Sequence, residues 1–144
     1  MRPGHTVLLA LLASACASRV PRVAVGPLAG GLDAFLHAHV PADEKVRADL
    51  VARSETASYH VVQVLDREPP HRHVAHDLTV FVLHGHGTLV LGNTRIPLQA
   101  GDAALIPRGT VHWFTNESRG RAVTLAVFTP PLDAPDSVPA PEFD

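Results

Sequence analysis

Cysteine is nearly absent: Cys16 is the only one in 144 residues. That excludes an internal disulfide framework and any Cys-rich zinc site. Tryptophan, tyrosine and methionine also occur once each. An excess of charge of one sign is missing too, because 12 basic and 14 acidic residues leave a formal net charge of −2. With no basic stripe either, neither nucleic acid nor anionic lipid is drawn to the chain from a distance. No apolar run reaches the roughly 20 residues that span a bilayer, and no internal repeat is visible. What is present is a 46% apolar composition, enough for a sizeable core in one ordinary domain. Histidine is in excess. There are ten, and six of them lie between His71 and His112.

The first eighteen residues read as an address. Arg2 lies in a short leading region, Thr6 to Leu12 is apolar, and Ala13 to Ser18 are mostly small. This is the three-part pattern of a secretory signal peptide, which predicts export to the periplasm. Leu12-Ala-Ser-Ala15 before Cys16 also resembles the lipobox of bacterial lipoproteins, although Ala13 stands where Leu is usual. That resemblance implies a lipid anchor on Cys16 as the mature N-terminus; without it, cleavage falls after Ala15 or Ala17.

Residues 19–45 read as a tether with one short helix, Ala34 to His39, capped by Asp33 and ended by Pro41. From Val46 the period changes to two. Val46, Ala48, Leu50 and Ala52 alternate with polar neighbours, and Tyr59 to Leu65 forms a second run. Leu78 to His84, Thr88 to Leu91, Thr94 to Leu98, Ala103 to Ile106, Val111 to Thr115 and Ala122 to Phe128 follow. Turn signals fill the gaps, among them Gly85-His-Gly, Gly92-Asn and Pro107-Arg-Gly. Short strands so spaced, with no α-crossover between them, predict an all-β antiparallel sandwich or barrel over 46–130. The tail, 131–144, is rich in proline and acid and is expected to be disordered.

Two blocks carry chemistry. In Pro70-His71-Arg72-His73-Val74-Ala75-His76-Asp77, histidines at i and i+2 of an extended chain share one face and can converge on one ion. The second block runs from Gly101 through Pro107, Gly109 and His112 to Asn116. Its glycines suit turns needing unusual backbone angles.

Together the blocks resemble the two signature motifs of the cupin superfamily. The second motif is Gly, five residues, Pro, one, Gly, two, His, three, Asn, and every fixed position is present. The resemblance spans roughly residues 57–130 and implies an antiparallel jelly-roll barrel holding a metal at one end. By position, His71, His73 and His112 look like three of the family's ligands. For the fourth, three residues after His73 lead to Asp77, an acid where the family has Glu. Counting six back from Gly85 gives Leu78, which cannot bind metal. A β-bulge near 75–77 would turn Asp77 inward. The other readings are a three-histidine site and, third, His76.

Three imidazoles with or without a carboxylate suit Fe, Mn, Ni, Zn or Co as a divalent ion. The resemblance then implies a metal-dependent dioxygenase, lyase or isomerase acting on a small organic molecule. The alternative is a barrel that binds or senses a ligand or metal without turning it over. Homodimers are the family's habit. His84 and His86 read as exposed strand ends, and His37, His39 and His60 as lying on a helix face and a solvent face. One of Trp113 and Phe114 belongs to the core. Arg95 and Arg108 read as surface residues, and Tyr59 lies outside both motifs.

Overall fold

The computed structural model describes residues 22–25 and 28–142, and side chains from residue 31 on; the predicted export signal and Cys16 lie outside them. A two-stranded hairpin, β1 (Arg22–Val25) and β2 (Leu28–Gly31), precedes helix α1 (Leu32–Ala38). A paired hairpin therefore stands where a tether was expected. The helix begins at Leu32, two residues earlier than expected. Gly31 is its N-cap, with no side-chain capping bond. Asp33 sits instead in the first turn, where its charge complements the helix dipole. At the other end the His39 carbonyl accepts a hydrogen bond from Gln63 Nε2 at 3.0 Å, tying α1 to the barrel.

The barrel strands are β3 (Val46–Arg53), β4 (Ser58–Val64), β5 (His71–His73), β6 (Asp77–His84) and β7 (His86–Leu91). They continue as β8 (Thr94–Gln99), β9 (Ala103–Ile106), β10 (His112–Asn116), β11 (Ala122–Thr129) and β12 (Ser137–Pro139). One antiparallel sheet has the order β12-β5-β10-β7-β8 and the other β3-β4-β11-β6-β9. The pairings nest: β4 with β11, β5 with β10, β6 with β9 and β7 with β8. A long hairpin folded back on itself in this way is a jelly roll. Its tip is the two-residue turn Gly92-Asn93, where Gly92 takes a φ of 57° and joins Leu91 to Thr94.

Alternation places the core between the sheets. Val64, Leu78, Val82, Ala126 and Phe128 from one sheet meet Leu89, Leu98 and Phe114 from the other in a single buried cluster. Residues of opposite parity, Val61 and Val123, point to the outer face, where Leu32 of α1 covers them. Both Trp113 and Phe114 are buried, Phe114 in the core and Trp113 with the Arg67 guanidinium 5.3 Å from its ring.

Two expectations about side chains fail. Leu50 is exposed although it pairs with buried His60, because β3 is the edge strand of its sheet and nothing packs beyond it there. His60 is buried, not solvent-facing. Its parity is that of Val62 and Val64, and Nε2 meets Ser58 Oγ at 3.0 Å beside the ring of Phe128. His84 and His86 are exposed, as expected. The tail is not disordered throughout, since β12 adds to the edge of β5, pairing Ser137 with His73 and Pro139 with His71. Proline is tolerated there because an edge strand leaves one row of backbone donors unpaired.

Candidate metal centre

His71 and His73 lie on the inward face of β5, and His112 opens β10 directly opposite His71 in the ladder. Each offers one nitrogen, and the three nitrogens lie within 4.8 Å of one another. The ring centres are 4.3 Å apart for His71 and His112, 5.2 Å for His71 and His73, and 5.4 Å for His73 and His112. Strand pairing delivers this convergence, because adjacent antiparallel strands bring same-face side chains within contact distance.

Every ring is also held from behind. His71 Nδ1 lies 2.8 Å from the Pro69 carbonyl and His112 Nδ1 3.0 Å from that of Thr110. His73 Nδ1 donates to Asp136 Oδ1 at 2.7 Å. When Nδ1–H donates outward, the Nε2 lone pair is left to face the shared space, and the donor bond fixes tautomer and ring orientation. The donor set therefore fits a borderline transition-metal ion. Burial pushes His112 down to about 4, helped by the neighbouring His71 and His73 and partly opposed by the Thr110 carbonyl. Burial also lowers His73, against the opposing pull of Asp136. Burial thus favours the neutral form of both rings, the form that binds metal.

The second block supports this geometry through its backbone. Gly101 and Gly109 take φ values of 101° and 77°, the left-handed region that glycine enters without strain. The Gly109 N–H donates to the His73 carbonyl at 2.7 Å, so the turn before β10 is fastened to β5. Asn116 is not a ligand but a staple. Its Nδ2 donates to the carbonyls of Val64, Leu65 and Gly120, and its Oδ1 accepts from Ser118 N–H.

Asp77 does not join the histidines. Leu78 faces the core, so Asp77, one residue away, faces outward, and no bulge reverses it. Its carboxylate instead accepts from the backbone N–H and the guanidinium of Arg108 at 2.9 Å each. That pairing holds Asp77 at about 2. Arg108 is thus the partner of Asp77, more than the plain surface residue expected. His76 is buried but also apart: Nδ1 meets Asp136 Oδ2 at 2.5 Å, and Nε2 lies 3.3 Å from the Pro131 carbonyl. Of the readings left open, the three-histidine cluster is the arrangement observed among the described residues.

Two residues near the centre carried no signal that pattern could reveal. Asp136 bridges His73 and His76 and accepts a third bond from Ala75 N–H at 3.1 Å. Burial pushes its carboxyl up, yet these donors outweigh burial and hold it at about 2. Glu68 lines the cavity, with Oε2 accepting the Phe114 N–H at 3.0 Å. Burial raises its carboxyl, partly offset by His71 and by the Phe114 N–H.

The histidines open on a cavity of about 420 Å³ between the sheets. A closed jelly roll with a three-imidazole cluster at one end defines a class of barrel that presents inward-facing donors to a small internal space. Residues 59–128 match the family described as "Cupin domain". An uncharacterized protein of Aquifex aeolicus (strain VF5) is 39% identical over 95 residues, 66% of this chain and 78% of that protein. The chain belongs to the cupin superfamily. The crystal structure of TT1209 from Thermus thermophilus is similar over 62% of this chain and 88% of that one, with 29% identity and a TM-score of 0.57. A Klebsiella pneumoniae protein with a double-stranded β-helix domain shares the fold at a TM-score of 0.61, with 21% identity, over 71% of this chain and 90% of that one.

Proposed function

We propose that this protein binds one divalent transition-metal ion through Nε2 of His71, His73 and His112. The ion serves metal-dependent chemistry, of the dioxygenase, lyase or isomerase kind, on a small organic molecule in the cavity. The observation that carries this reading is three converging nitrogens within 4.8 Å, each ring held through Nδ1 by an oxygen acceptor. Fe, Mn, Ni, Zn and Co all accept such donors. Bound there, the ion supplies Lewis acidity or an oxygen-binding centre. The chain's own residues do the rest. His71, His73 and His112 would hold the ion at the end of the cavity. Apolar walls line the space beside them, and Glu68, its carboxyl raised by burial, faces that space with Oε2 held by the Phe114 N–H.

Elemental analysis of the purified protein tests the reading. Near-stoichiometric metal is expected in the wild type and in Asp77→Ala, with collapse in His112→Ala. Equal trace metal in wild type and His112→Ala would overturn it. We also propose, from the sequence of residues 1–18, that the chain is exported and anchored by lipid on Cys16. Incorporation of labelled palmitate, lost in Cys16→Ser, tests the anchor.

A further inference from the structure

The cavity wall is divided by chemistry. On the side of β5 and β10 stand the three histidines, Glu68 and Ser137. Across from them β4, β6 and β11 present Val62, Val64, Val80, Val82 and Ala126, with Thr124 the polar exception among the described residues. Period-two alternation makes this wall: every inward position of β6 is aliphatic. Among the described residues lining the cavity there is no Lys and no Arg, and the carboxyl there is that of Glu68. The volume suits a small molecule.

We infer that the occupant of this cavity is a small, largely apolar compound with a single oxygen-bearing head, such as an alkyl phenol, and neither a sugar nor a polyanion. The placement of the head at the histidine end rests on the metal-centre reading; the apolar body does not. A sugar buried against this wall would leave most hydroxyls without partners, a cost that only matched donors and acceptors remove. A dianion would lose its hydration and find no cationic side chain to replace it. An apolar ring loses little by leaving water and gains dispersion contact with the aliphatic wall.

Titration calorimetry on metal-free and metal-loaded protein, with p-cresol, galacturonate and oxalate as probes, tests the inference. The metal-free form is expected to bind p-cresol at least tenfold more tightly than galacturonate or oxalate. Ala48, exposed at the cavity edge, gives the blocking variant. Ala48→Trp is expected to weaken p-cresol at least tenfold while metal content stays unchanged. Thr124→Val, close in shape and safe for folding, should leave p-cresol affinity within about twofold. Tighter binding of galacturonate or oxalate to the metal-free form, absence of p-cresol binding to both forms, or its loss in Thr124→Val would overturn the inference. If p-cresol binds a protein that takes up no metal, the metal-centre reading falls and this one stands. Metal uptake without p-cresol binding overturns the apolar occupant and leaves the metal centre standing.

Discussion

Asp136 and His73 meet across 63 positions of sequence, carboxylate Oδ1 to ring Nδ1 at 2.7 Å. The same carboxylate holds His76 through its other oxygen, so one side chain locks two rings and the turn between them. β12 carries Asp136 there by pairing Ser137 with His73, and Ala140 N–H adds a bond to the Pro70 carbonyl at 3.0 Å. Outer carboxylates of this kind set the tautomer of a ligating imidazole and raise its basicity.

Asp136→Ala should therefore keep three histidines but hold them loosely. Metal affinity is expected to fall about 10–100-fold, read by competition with a chromophoric chelator. Asp136→Asn, which keeps an acceptor for one ring but not charge, should fall between this variant and the wild type.

Acid should destabilise the metal-free protein through His112. Its folded value is about 4, depressed mainly by burial, against an unfolded value near ~6.5. Above ~6.5 neither state binds the proton, and the folded protein has its full stability. Between ~6.5 and about 4 the unfolded chain takes up a proton that the folded ring refuses, so stability falls with falling pH; below about 4 the loss levels off. The contribution is on the order of 3 kcal/mol. Urea denaturation at a series of pH values should show this slope in the wild type and a flatter one in His112→Gln.

Asn116→Ala should cost stability and spare the metal. The substitution removes a side chain that serves three carbonyls and one N–H around the β10–β11 turn. A loss of on the order of 2 kcal/mol is expected in urea denaturation, with metal stoichiometry unchanged.

Much of this architecture is legible in the chain because period-two alternation and glycine turns are local signals. Leu78, Val80 and Val82 share a face, and Gly92-Asn93 marks the hairpin tip. His71 and His73 could be paired from spacing, and His112 joined them through the Gly101–Asn116 pattern. Asp77 was ambiguous because counts from His73 and from Gly85 differ by one residue, and only a register resolves such a slip. Asp136 gave no sign, since its role depends on a proline-rich stretch returning to pair with β5. Leu50 misled for a related reason: that β3 lies at the edge of its sheet depends on the order of the strands, which the residues around Leu50 do not mark.

The pairing of β12 with β5 also sets an order of assembly. During synthesis His71 and His73 emerge well before the aspartate that steadies the second ring, and closing so wide a loop carries an entropic toll. Until that edge strand docks, the second ring lacks its carboxylate partner, so an ion bound by the three imidazoles as proposed would be held more loosely in a chain not yet complete.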